Sequence, residues 1–135
     1  MKISYSILTH NETNSLEKLL KFLIKWKQPE DEIVILDDYS DDKKTKQLLD
    51  FYVSAHDIVF EQRNLLGDFA SQKNHLKGMC SGDYSFNLDA DEMISLWLIK
   101  NIHSIVEENE IDLIYLPRIN TVDGLTEQHA KYWHW

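Results

Sequence analysis

Asp89, Ala90 and Asp91 stand directly after the run Tyr84, Ser85, Phe86, Asn87, Leu88, with Glu92 behind them. The chain holds 13 Asp among 135 residues, so an Asp-x-Asp arises about once by chance and the triplet alone says little. Its position says more. Two carboxylates at the end of a buried apolar strand repel one another and are costly there unless a cation lies between them. A solvated acidic turn or a helix N-terminus is the competing explanation. Carboxylate oxygens with no neighbouring His or Cys select a hard ion, Mg2+ or Mn2+, which keeps coordination positions open for substrate oxygens. A diphosphate is the natural ligand of such an ion, and Arg63 or Lys73 would add positive charge beside it.

Other polar groups fall at equivalent places. Thr9, His10, Asn11 and Glu12 follow the alternating segment 3–8, Asp37 and Asp38 follow the apolar run 32–36, and Glu61, Gln62, Arg63 and Asn64 follow 58–60. Each run has the length and β-branched content of a strand. Between them lie stretches of helical periodicity. Leu16, Leu19, Leu20, Leu23 and Trp26 recur up to Pro29, behind an apparent capping box of Asn14 and Glu17. Leu48, Leu49 and Tyr52 share one face of 45–55, Phe69, Leu76 and Met79 one face of 68–80, and Leu98, Ile102, Ile105 and Val106 one face of 95–109. Residues 112–116, closed by Pro117, read as a fifth strand. Strands and helices alternating at short spacing predict an α/β fold, an open, doubly wound, mostly parallel sheet with helices on both faces. In such a sheet ligands bind at the carboxyl ends of the strands, where all four polar groups fall.

Composition narrows the alternatives. The 135 residues fit one domain, 1–135, whose periodicity fades after about 118. A net charge of -9 argues against a nucleic-acid partner, which draws its affinity from clustered Lys and Arg. The longest basic cluster, Lys43, Lys44 and Lys46, reads as a solvated helix face. The single Cys80 allows no internal disulfide or thiol-rich metal site and reads as a small core residue. No apolar run reaches the ~18 residues that span a bilayer, so the expected location is the cytoplasm, without a transmembrane segment. Dinucleotide, P-loop, serine-hydrolase and zincin signatures are missing from the sequence. A receiver domain would need its acidic pair after the first strand, and a nucleotidyltransferase a Gly-rich loop there.

Four ordered blocks, 7–12 (ILTHNE), 33–40 (IVILDDYS), 67–74 (GDFASQKN) and 82–92 (GDYSFNLDADE), resemble the donor-binding part of a family 2 glycosyltransferase of the GT-A fold. Residues 116–120 (LPRIN) further resemble the branch that includes lipopolysaccharide-core glucosyltransferases. The resemblance implies a UDP-sugar donor bordered by Thr9, Asn11 and Glu12, with Asp38 accepting a hydrogen bond from the base. It places Lys73 near base or phosphate, Asp89 near ribose and metal, and Asp91 on the metal itself, Mn2+ or Mg2+. Asp37 either shares that role or caps the following helix, and Glu92 supports the ligands from behind.

The implied reaction is transfer of the sugar to an acceptor hydroxyl, saccharide or other, with inversion. The family's base comes from an acidic segment well beyond the fifth strand, where this sequence offers only Asp123 and Glu127, each read as an ordinary loop carboxylate in preference to the base. His129 or His134 could close the metal site; alternatively the aromatic segment 128–135 packs against the sheet or forms a homo-oligomer contact. The expectation is thus a minimal or truncated glycosyltransferase, or else a module that binds nucleotide-sugar without transfer.

Overall fold

The computed structural model describes residues 1–117. The elements alternate as β1 (Ile3–Thr9), α1 (Asn14–Trp26), β2 (Glu32–Asp37), α2 (Lys43–Ala55), β3 (Val59–Gln62), α3 (Phe69–Met79), β4 (Tyr84–Asp89) and α4 (Leu96–Asn109). The four strands are all parallel, in the order β3-β2-β1-β4. β1 and β2 are central and buried on both faces, which is why Ile33, Val34, Ile35 and Leu36 form an uninterrupted apolar run. Among the described residues, no helix is long and apolar enough to cross a membrane.

Two cores lie on opposite faces of the sheet. Tyr5, Ile7 and Ile35 pack with Leu16, Leu19, Leu20 and Leu23 of α1, Leu48, Leu49 and Tyr52 of α2, and Ile99, Ile102 and Val106 of α4. Val34 and Leu36 pack against Leu76 of α3 on the other face, with Leu8, Met79 and Cys80 partly buried beside them. Burying a single Leu of this kind contributes about 1.5–3 kcal/mol. The predicted helix faces hold with two exceptions. Ile99, rather than Leu98 or Ile105, takes the deep position on α4, and Phe69 is 63% exposed.

The helices start differently from the sequence pattern at one point and as capping chemistry dictates at the rest. The Asn14–Glu17 capping box does not form: α1 begins at Asn14, and its N-cap Thr13 has helical backbone angles and makes no side-chain cap. The Thr13 hydroxyl instead reaches Asp42 at 3.2 Å and Thr45 at 2.7 Å, tying the first turns of α1 and α2 together. Asp42, Asp68 and Ser95 cap α2, α3 and α4 by accepting from Thr45, Ser71 and Leu98 N–H.

The fifth strand is also corrected. Residues 112–117 carry no ladder, although Tyr84 Oη donates to the Ile111 carbonyl and Ile114 packs on the core. Leu113, Tyr115 and Leu116 are exposed. Alternation of apolar residues is a property of side chains, whereas a strand needs a neighbour's N–H and C=O groups, and no ladder joins this segment to β4, an edge of the described sheet.

At the amino ends of the strands, Glu32 gathers Ser4 Oγ at 2.6 Å, Ser81 N at 2.7 Å and Lys2 Nζ at 3.1 Å. Burial alone would raise its pKa, but the donors from Ser4, Ser81 and Lys2 outweigh it and bring the pKa down to about 2. Gly82 closes this clasp by donating to Ser4 Oγ at 2.8 Å.

Candidate functional site

In the order β3-β2-β1-β4 the succession of strands, running outward from β1 to β3, switches to the other side of β1 for β4, so a crevice opens beyond the carboxyl ends of β1 and β4. A cleft of about 360 Å³ lies there. Leu8, Thr9, His10 and Glu12 line it from β1, Leu36 and Asp38 from β2, Leu65, Phe69, Gln72 and Lys73 from the turn into α3 and its first turns, and Asp89, Ala90 and Asp91 from β4.

Backbone geometry explains why the Asp-x-Asp faces the cleft. Ala90 N–H donates to the Leu8 carbonyl at 3.1 Å, continuing the β1–β4 ladder by one residue, and its methyl is buried. Asp89 and Glu92 then bond reciprocally, Asp89 N–H to the Glu92 carboxylate at 2.8 Å and Glu92 N–H to the Asp89 carbonyl at 2.9 Å. Glu92 therefore braces the turn. Asp91 is exposed, lines the cleft, and makes no hydrogen bond or ion pair to another described residue. This donor set is all oxygen, carried on a fixed turn with one carboxylate unengaged by the described protein, and it suits a hard divalent cation.

The two aspartates after β2 divide sharply. Asp37 is fully buried; its carboxylate accepts from Ser40 N at 3.0 Å, from the Ser40 hydroxyl, and from Gln62 Nε2 at 3.2 Å. It shapes the loop, and capping of α2 belongs to Asp42 rather than to Asp37. Asp38 faces the cleft, with one carboxylate oxygen held by Leu65 N–H at 2.9 Å and the other 3.9 Å from His10 Nδ1. His10 Nδ1 also contacts the Asp38 carbonyl, so its ring packs over this loop from the β1 side.

Lys73 lines the cleft and has no ion pair with any described residue. Phe69, Gln72 and Lys73 come from the first turns of α3, whose N-terminus contributes a favourable dipole for anions. Thr9 is buried and lines the cleft, and its hydroxyl has no hydrogen-bond partner among the described residues.

Two predicted residues sit elsewhere. Asn11, at φ 50°, braces the loops: its side-chain carbonyl accepts from Asp41 and Asp42 N–H at 2.9 and 3.0 Å, and its amide donates to Asp41 at 2.7 Å. Arg63 turns away to Gln72 at 2.8 Å and Ser71 at 2.9 Å, and does not line the cleft. Both side chains are spent on building the walls. Asp123, Glu127, His129 and His134, with the whole aromatic segment, lie outside the described residues.

His10, Leu65, Phe69 and Gln72 are cleft residues the sequence pattern did not single out as ligands. His10 was visible as a strand-end polar residue, whereas Phe69 looked like a core position. A separate group, Glu30, Asp31 and His103, brings its ligand atoms within 4.8 Å of one another. It lies before β2 starts, the six-residue length of that strand or roughly 20 Å from the cleft at ~3.3 Å per residue. Asp31 there accepts from Ile3 N–H and bonds His103, both at 2.8 Å, and so fastens α4 to β1.

Comparison with known proteins identifies the family and the fold. The profile of glycosyl transferase family 2 matches residues 4–135. No curated protein matches the chain. Among solved structures, S. aureus TarS 1-349 superposes with a TM-score of 0.72 at 23% identity, covering 87% of this chain and 39% of that one. TarS 1-349 in complex with UDP-GlcNAc gives 0.68 at 22% identity over 87% and 37%. The mannosyltransferase PcManGT from Pyrobaculum calidifontis, in complex with GDP-Man and Mn2+, gives 0.62 at 17% identity over 77% and 32%. The chain thus shares the GT-A glycosyltransferase fold while spanning well under half the length of these structures.

Proposed function

From a chain that belongs to glycosyl transferase family 2, we propose that the cleft binds a UDP-sugar with a divalent cation and that the sugar passes to an acceptor hydroxyl with inversion. The observation that carries this is that the Asp91 carboxylate and the Lys73 cation, neither in an ion pair with a described residue, line one cleft at the β1/β4 switch point. Thr9, Glu12 and Asp38 would border the nucleoside, Lys73 would meet base or phosphate, and Asp89 and Asp91 would hold Mn2+ or Mg2+. Such an ion supplies charge neutralisation at the departing diphosphate. Asn11 and Arg63 act behind the cleft, by fixing the loops that carry Asp38 and Phe69. TarS with UDP-GlcNAc and PcManGT with GDP-Man and Mn2+ support a nucleotide-sugar and a metal as the ligands.

A donor-binding module is the second reading. It is favoured by the position of the cleft carboxylates: Glu12, Asp38, Asp89 and Asp91 all follow β1, β2 or β4, on the donor side. Calorimetric titration of UDP with Mn2+, with chelator, and on Asp91→Ala tests the shared part. Binding is expected with Mn2+ and a loss of tenfold or more in the other two arms; equal affinity in all three would refute the metal-diphosphate site. UDP release from UDP-sugars upon adding acceptors then separates transfer from mere binding.

A further inference from the structure

Phe69 is an anomaly at the mouth of the cleft. An exposed apolar side chain is ordinary by itself, but this ring is 63% exposed and lines the same cleft as Asp38, Lys73, Asp89 and Asp91. Its position is fixed by the chain before it. Leu66 and Gly67 turn at φ 50° and 74°, Asp68 N–H closes the turn on the Leu65 carbonyl at 3.0 Å, and the Asp68 side chain caps α3 through Ser71 N–H at 3.0 Å. The same turn delivers Leu65 N–H to the Asp38 carboxylate. One short segment therefore anchors the Asp38 carboxylate and carries Phe69, and both residues line the cleft.

We propose that Phe69 is the stacking wall for the nucleobase, which lays its face on the ring while Asp38 accepts from its edge. This rests on the donor site proposed above. The remaining Asp38 oxygen offers one acceptor, because its partner oxygen is held by Leu65 N–H. A flat heterocycle with a ring N–H satisfies both groups at once, since its face is apolar and its edge polar. Lys73, one turn along the same face of α3, is then placed for the phosphates.

The test compares ligands with and without a base, by calorimetry in Mn2+. Phe69→Ala is expected to weaken UDP about tenfold, or ~1.4 kcal/mol, and to leave inorganic pyrophosphate within about twofold, as a stacking loss requires. Phe69→Trp should keep UDP affinity and gain a fluorescence quench on UDP addition that the wild-type chain lacks. The exposed ring predicts an unchanged melting temperature for both variants. Unchanged UDP affinity in Phe69→Ala, or equal losses for UDP and pyrophosphate, would overturn the stacking role while leaving the donor site standing. Failure of the wild-type chain to bind UDP at all would overturn both.

Discussion

Replacing Asp37 with Ala separates structural from ligand-binding acids at the end of β2. The fully buried carboxylate serves three donors, Ser40 N, Ser40 Oγ and Gln62 Nε2. Hydrogen bonds to a charged group contribute about 1.5–3 kcal/mol each, and part of that sum only offsets the cost of burying the charge. The substitution leaves the two buried Ser40 donors unmet, while Gln62 is exposed and can turn to water, so a net loss of about 3 kcal/mol is expected, typical of breaking a buried charge network. Against a domain stability of about 5–15 kcal/mol, the variant still folds. Urea denaturation should show a lower midpoint with the slope unchanged. In contrast, Asp38→Ala gives up one protein hydrogen bond to a partly exposed carboxylate and should lose about 1.5 kcal/mol, the lower end of that range, yet lose UDP affinity. An Asp37→Ala protein of wild-type stability that no longer binds UDP would refute this division and make Asp37 a ligand contact.

Glu32→Gln should remove a pH-dependent share of stability. The wild-type carboxyl is held down to about 2, against burial, by Ser4, Ser81 and Lys2. A lowered folded pKa means its contribution is full above the unfolded value of ~4.3 and disappears as pH falls towards 2. The stability gap between wild type and variant should therefore narrow from pH 5 to pH 2, and a gap constant with pH would count against the clasp. Gly82→Ala should cost about 1–3 kcal/mol through overpacking, because a Cβ there would stand 2.7 Å from Ser4 Oγ and 2.8 Å from the Lys2 carbonyl; an unchanged urea midpoint would show that the strand ends give way. Lys73→Gln should weaken UDP about tenfold, flatten its salt dependence and leave uridine unaffected, whereas a matching loss for uridine would place Lys73 at the base.

The alternation of strands and helices, and hence the α/β class, was legible because its signals are local. Residues 32–36 could only be a strand buried on both faces, and the leucines of 16–23 could only face a core. Cleft membership of Asp38, Asp89 and Asp91 followed from one rule, that strand ends converge, and that of Lys73, inside α3, from the family resemblance. What failed was equally physical. The capping box at Asn14 gave way to a contact between Thr13 and Thr45, residues far apart in sequence, and residues 112–116 had a strand's pattern but no ladder to β4.

Sequence by itself determined which residues are chemically able to hold a cation and an anion, and that they come at strand ends. Only tertiary structure decided which of them are free to do so. Asp37 and Asp38 are adjacent and identical in type, yet one is spent on Ser40 and Gln62 while the other faces the cleft. Arg63 and Asn11 carry ligand-binding chemistry and use it on the walls, and Phe69 carries core chemistry and stands in the cleft. The reason is that a side chain's availability depends on partners brought together by the fold, and no local pattern records them.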